Sequence, residues 1–251
     1  MRSSHVCSLV AALAATLSFV ACDKNALSPA LDQSGPTTPQ GPKATPPNVA
    51  PTANAGADLV AECASRQGST VTLNGSATDG DGRIALIEWF ENGELLAIGA
   101  APSVTLSLGT HTLLMRVTDN QGGTNDDVVV VTIQDTTAPV IQMTIDSNTL
   151  WPPNHTMRLV SSAISVSDAC DAAPSSGVTV TSNEAENGLG DGDTAPDWLV
   201  QHNGNGTFDV WVRAERSGLG DGRVYTLSAS AADHSGNNVA RSGTVTVAHN
   251  Q

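Results

Sequence analysis

Apolar positions along this chain recur at every second residue, in runs of strand length separated by turn residues. Val104, Leu106 and Leu108 alternate with Thr105 and Ser107, and His111, Leu113, Met115 and Val117 alternate with Thr112, Leu114, Arg116 and Thr118. A period of two places one set of side chains on a single face of a pleated strand. Farther along, Ile141, Met143 and Ile145 alternate with Gln142, Thr144 and Asp146, and Phe208, Val210 and Val212 with Asp209, Trp211 and Arg213. Tyr225, Leu227, Ala229 and Ala231 repeat the pattern, and Val71-Thr72-Leu73, Ile84 to Phe90 and Val245-Thr246-Val247 add shorter pieces. Val128 to Ile133, interrupted only by Thr132, predicts a strand buried on both faces. Between these runs stand Asp79-Gly80-Asp81-Gly82, a turn, and Asn92-Gly93, a strong hairpin sign. Strands at this spacing predict an all-β chain folded as β-sandwiches.

Two segments at the start break the pattern. Met1 to Ala21 carries one basic residue, Arg2, ahead of an apolar run from Leu9. The run is shorter than the roughly 20 residues a membrane span needs, and suits the core of an export signal. It ends in Phe19-Val20-Ala21-Cys22, which resembles the lipobox of bacterial lipoproteins, with Phe where Leu is usual. That resemblance implies diacylglycerol on Cys22 and a membrane partner; the open alternative is ordinary cleavage, with Cys22 removed or left as a thiol. Asp23 follows, a residue that resembles an inner-membrane retention signal in enteric bacteria, although the rule does not transfer to every phylum. The outer membrane or cell surface is the favoured place. Residues 22–50 then hold Pro29, Pro36, Pro39, Pro42, Pro46 and Pro47 among small polar residues, which predicts a semi-extended tether.

The strand-rich remainder divides at Asp135-Thr136-Thr137-Ala138-Pro139, giving a first module over 51–134 and a second over 140–251. In the first, Pro51-Thr52-Ala53-Asn54-Ala55-Gly56, Val71 to Ser76, Asp79 to Gly82, Glu88-Trp89-Phe90, Leu108 to His111 and Val117 to Gly122 resemble a PKD-type domain in family order. The resemblance implies an extracellular immunoglobulin-like sandwich with Trp89 at its centre. It also implies a calcium set at Asn54, Asp79, Asp81 and Asp119. The ion takes six to eight oxygen ligands, and a D-x-D-G turn offers two carboxylates from one loop. The same residues are also simply good turn formers.

The second module resembles a recurrent unit of large bacterial surface proteins, through Leu150-Trp151-Pro152-Pro153-Asn154-His155, Gly190 to Trp198, Arg213 to Gly218 and Gly222 to Tyr225. Asp191, Asp193, Asp197 and Asp221 form a weaker calcium set, should their loops meet. Trp151, Trp198 and Trp211 are candidate sugar platforms, with Trp211 on the strand face opposite Val210 and Val212. His155, Glu215 and Asp191 could be drawn as an acid–base set. The Pro-fixed turn before His155 instead predicts a structural hydrogen bond to backbone, and Arg213, Glu215 and Arg216 read as an ion-pair network at a strand edge. Gly-Leu-Gly-Asp-Gly occurs at 188–192 and 218–222 without a following helix to bind phosphate.

Composition narrows the function. A formal net charge of −14 repels nucleic acid, so no such partner is expected. With one Tyr and three Phe, the cores must rest on Val, Leu and Ile. Cys7 falls in the export signal and Cys22 at the lipid site, leaving Cys63 and Cys170 in different modules. A disulfide between modules needs a close Cα approach that the sequence does not supply, so two unpaired, partly buried cysteines are the expectation. No nucleophile elbow or HExxH motif is present. The chain therefore reads as a non-catalytic, lipid-anchored envelope protein presenting immunoglobulin-like modules for adhesion, spacing or protein binding, with carbohydrate binding as the alternative and Ca²⁺ as the candidate cofactor.

Overall fold

The computed structural model describes residues 45–186, 195–218 and 221–249. The export signal, Cys22, most of the tether, Asp191 and Asp193 lie outside that range. Residues from Pro47 onward form one compact unit. It holds two β-sandwiches in tandem, each around its own apolar core.

The first sandwich contains β1 (Thr52–Asn54), β2 (Leu59–Glu62), β3 (Ser69–Thr72), β4 (Ser76–Thr78), β5 (Ile84–Glu91), β6 (Glu94–Ile98), β7 (Ser103–Leu106), β8 (Gly109–Asp119) and β9 (Thr124–Gln134). One layer is a five-stranded sheet in the order β2-β9-β8-β5-β6; β1-β4 and β3-β7 form separate two-stranded pieces. The alternation seen in the sequence fixes the inner face: Leu113, Met115 and Val117 are wholly buried opposite Trp89. Trp89 donates its Nε1–H to Gly99 O at 2.9 Å, so the polar end of the ring is satisfied in the core. A Cβ at Gly75 would stand 2.6 Å from both Trp89 Cζ2 and Met115 Sδ, which explains a residue without a side chain there. The β5–β6 turn uses Asn92 at φ 51° and Gly93 at φ 85°, the left-handed pair that matches strand twist.

β9 departs from expectation. Val129, Val131 and Ile133 are buried, but Val128 is 48% exposed. Its outer face is open, because the five-stranded sheet is covered on one side only. Leu108, beyond the end of β7, is likewise 47% exposed.

The second sandwich contains β10 (Val140–Gln142), β11 (Thr149–Leu150), β12 (Met157–Ser167), β13 (Ser175–Ser182), β14 (Trp198–His202), β15 (Phe208–Arg213), β16 (Gly222–Ala232) and β17 (Asn238–Ala248). Its sheets run β10-β12-β15-β14 and β11-β17-β16-β13. Val210, Val212, Tyr225, Leu227, Val245 and Val247 have no accessible surface and fill the space between the layers. Each sandwich locks its last strand with an early parallel one: β2 beside β9, and β11 beside β17.

The modules are covalently joined, which overturns the expectation of unpaired cysteines. Cys63 and Cys170, 107 residues apart, form a disulfide with a Cα–Cα distance of 6.2 Å. Asp168 makes this reach feasible by accepting the N–H groups of Cys170 and Asp171 at 2.7 and 2.8 Å, a tight turn that presents Cys170 to the other module. Cys170 packs against the core of the first sandwich.

Candidate functional site

Polar side chains gather at three places, and the joint between modules is heavily bonded. Glu62, at the end of β2, accepts Thr136 N–H at 2.7 Å and the Thr137 hydroxyl at 3.0 Å on one oxygen, and the Thr136 hydroxyl at 2.9 Å on the other. The Thr136 N–H leads the contacts that hold the Glu62 carboxyl below its usual range. From the second module, Asn237 Nδ2 donates to Asp135 O at 3.0 Å and to Asp233 Oδ2 at 2.9 Å, and Ser235 Oγ donates to Asp135 Oδ2 at 3.4 Å. A five-residue linker that could flex is thus tied down on both sides. Asp135, Asp168 and Asp233 bring carboxylate oxygens within 4.8 Å of one another there, an acidic cluster with Asp135 and Asp233 9% and 8% exposed. Sequence reading missed this trio, because its members come from a linker and two separate loops; Asp233-His234-Ser235-Gly236 resembles Asp119 to Gly122, but that likeness says nothing about a neighbour 100 residues away.

The predicted calcium loop is partly assembled. Asp119 is 2% exposed. Its Oδ1 accepts Gln121 and Gly123 N–H at 2.7 and 2.9 Å, and its Oδ2 accepts Asn48 Nδ2 at 2.8 Å. Asn48 first, then these peptide groups, hold its carboxyl below the ordinary range. Asp81 Oδ2 accepts Val49 N–H at 3.2 Å, so the end of the tether is docked on this loop. Asp79 Oδ1 accepts Asp81 N–H at 3.3 Å, while Asp79 Oδ2 is buried and has no donor. A Cβ at Gly82 would lie 2.6 Å from that orphan oxygen and 2.5 Å from Asn120 Oδ1. Asn120 Oδ1 accepts Arg83 N–H at 2.7 Å, so Asp79 Oδ2 is the acceptor of this loop left without a donor. Asn54 does not join them: it sits on β1 opposite Ser76, and its Oδ1 accepts Gly56 N–H at 2.9 Å.

In the second module the weaker calcium set is not assembled from its described members. Asp197 has no exposed surface, and its Oδ2 is 2.7 Å from Arg223 Nη1, so a guanidinium already holds the place of a cation. Asp221 is exposed. The predicted edge network is instead interior. Glu215 is fully buried and Arg213 8% exposed, whereas Arg216 donates to the carbonyls of Ser217, Ala248 and His249 and, among the described residues, pairs with no acid. His155, at φ 61°, places Nδ1 3.2 Å from Glu215 Oε2, a side-chain partner where a backbone one was expected. Burial, and then the Asp197 carboxylate beside it, push Glu215 up to about 7. Burial likewise pushes the Tyr225 phenol up to about 12.

The three tryptophans do not share a face. Trp198 meets Tyr225 edge-on, ring centroids 6.4 Å apart, and packs against the core. Trp211 lies on the face opposite Val210 and Val212, half-buried with its Nε1 covered and unbonded, and pairs across the sheet with Leu159 and Leu199, which are 37% and 48% exposed. Trp151 is 41% exposed and borders a surface hollow of about 270 Å³ with Arg158 and Leu159.

No protein-family model and no curated protein matches the sequence. Solved structures to which the chain is similar include the PKD1 domain of Vibrio anguillarum Epp, at 27% identity over 35% of this chain and 99% of that one, with a TM-score of 0.27. The PKD1 domain of the Vibrio cholerae metalloprotease PrtV is 23% identical over 35% of this chain and 100% of its own, with a TM-score of 0.27. The insect immune protein hemolin is 12% identical over 78% of this chain and 46% of its own, with a TM-score of 0.38. PKD-type and other immunoglobulin-like folds thus stand among the structural neighbours. At these TM-scores they add nothing to what the sheets already establish.

Proposed function

We propose that this chain is a non-catalytic protein of the bacterial cell envelope, held to a membrane through lipid on Cys22, whose paired modules serve adhesion, spacing or protein binding outside the cytoplasm. The observation that carries the reading is the Cys63–Cys170 disulfide, since such bonds persist in oxidising compartments and are rare in the cytosol. The export-like segment ending at Cys22 and the acidic composition support it. The test is metabolic labelling with an alkynyl fatty acid, followed by protease treatment of intact cells. Labelled wild-type protein, an unlabelled Cys22→Ser variant and loss of the modules to external protease are expected. An unlabelled wild type would remove the anchor from the proposal, and full protection from protease would place the modules on an inner face.

A calcium ion at the loop of Asp79, Asp81 and Asp119 belongs to the same reading, because Asp79 Oδ2 is a buried acceptor without a donor. Bound there, it would supply charge neutralisation that fixes the Asp79 to Gly82 turn against the Asp119 loop. Carbohydrate binding is the second reading, favoured by the outward row of Leu159, Trp211 and Leu199 and by exposed Trp151. Trp198 has no part in it. Retention on insoluble polysaccharide that is lost in Trp151→Ala and Trp211→Ala would establish it; passage of the wild type through every such matrix would end it.

A further inference from the structure

The end of the second module far from the joint buries two carboxyls, Asp197 and Glu215, beside two guanidiniums, Arg213 and Arg223. β16 begins there at Gly222 and reaches the joint eleven residues later. Asp197, Glu215 and Arg223 have no exposed surface. Arg223 Nη1 lies 2.7 Å from Asp197 Oδ2 and 3.5 Å from Glu215 Oε1, and its Nε is 3.2 Å from Glu184 Oε2. Arg213 spends its guanidinium on Pro196 O at 3.1 and 2.8 Å and His155 O at 2.8 Å, standing 3.8 Å from Glu215 Oε2. Tyr225 donates its hydroxyl to Arg213 O at 3.0 Å. Among the described residues, the charged or titratable groups facing Glu215 are therefore Asp197, Arg223, Arg213, Tyr225, His155 and, across Arg223, Glu184.

One atom in this set is left over. Asp197 Oδ1 is buried and receives no hydrogen bond. A buried acceptor without a donor is destabilising, and two ionised carboxylates side by side in the interior repel each other. Glu215 and Asp197 meet at the same Arg223 Nη1, 3.5 and 2.7 Å away, and Glu215 in its acid form would give Asp197 the donor it lacks.

We propose that a single proton, held on Glu215 and donated to Asp197, clasps this end of the module, and that its loss on deprotonation loosens the segments it joins. Those segments are the turn at His155, the strand entry at Pro196 and Asp197, and the stretch from Ala214 to Ser217. Burial and Asp197 raise Glu215, against His155 and Arg213, which lower it. The folded form keeps a proton that an unfolded Glu releases near 4.5, so the contribution is full below that pH and gone above about 7. The clasp is thus an acid-side device.

Hydrogen exchange of the full chain between pH 5 and 8, corrected for intrinsic rates, tests it. In the wild type, opening of the His155 and Ala214 to Ser217 peptides should rise by roughly tens of fold across that window. Glu215→Gln keeps a donor for Asp197 at every pH and should show no such step. His155→Gln should retain the step, since His155 acts in the opposite direction. Identical profiles in wild type and Glu215→Gln, protection that increases with pH, or a step abolished in His155→Gln would each overturn the proposal. If Glu215→Gln does not fold, carboxyl ¹³C NMR of the wild type decides: one glutamate titrating near 7 sustains it, and every glutamate titrating in the ordinary range refutes it.

Discussion

Changing Cys63 and Cys170 to alanine removes a cross-link that closes a loop across 107 residues. In the chain-entropy account, a loop of that size restricts the unfolded ensemble by about 4.7 kcal/mol, and measured losses of native disulfides fall at about 2–5 kcal/mol. The logarithmic dependence on loop length makes the value insensitive to which module opens first. With the first module open and the second folded, most of the loop still lies in unfolded chain; with the roles reversed, the loop is shorter but the cost falls by only about 1 kcal/mol. Both modules should therefore lose stability together. For modules of this size, each 1 kcal/mol shifts Tm by about 4–8 °C, so a fall of at least about 8 °C is expected. Calorimetry of the oxidised wild type, the reduced wild type and the double alanine variant provides the assay. The reduced wild type and the variant should agree, and reductant should leave the variant unchanged. Oxidised and variant proteins melting within about 2 °C of each other would show that the joint already restricts the chain as fully as the disulfide does, and the reasoning would fail.

Other consequences follow from single contacts. Gly75→Ala drives a methyl into Trp89 and Met115 and should cost about 1–3 kcal/mol by denaturant unfolding of the first module. Arg223→Met strands Asp197 in the interior of the second module and should cost about 3–5 kcal/mol, unless acid pH restores it by protonating the carboxyl. Tyr225→Phe removes the donor to Arg213 O, for a loss of about 0.5–1.5 kcal/mol. Calcium should raise the Tm of the full chain relative to excess chelator, by an amount equivalent to about 2.7 kcal/mol at a hundredfold excess over Kd, and Asp79→Ala should abolish the rise. Coincident melts would assign Asp79 to turn formation alone.

Strand period two was enough to expose the sandwiches, because β8, β15 and β16 bury every second residue over most of their length. β12 escaped for a local reason. Its register shifts twice, between Leu159 and Ser161 and again before Ile164, and Ala163 takes φ 51°, so the alternation in Met157 to Ser167 is scrambled at the bulges. β13 escaped because its outward positions are Ser and Thr, and only Val178 and Val180 mark its inner face. The site was less legible still. Asp119, at the end of β8, stands out in the sequence as a candidate ligand, but its partner Asn48 lies in a stretch that reads as tether. The cysteine pairing depends on how two modules face each other, and nothing local to Cys63 or Cys170 encodes that. Glu215 looked like a surface ion-pair residue because a run of Arg, Glu and Arg carries no sign of which members turn inward.

The disulfide also changes what a protease can achieve. Cys63 lies near the start of the first module and Cys170 well inside the second. A single cut anywhere between them, including one in the linker at Asp135 to Pro139, severs the backbone yet releases nothing, for the two pieces remain bridged. The second module would leave the N-terminal part of the chain only after a further reductive step, or after a second cut on the far side of a cysteine. Nicked molecules should therefore migrate as intact chains on a non-reducing gel and separate only when thiol is added.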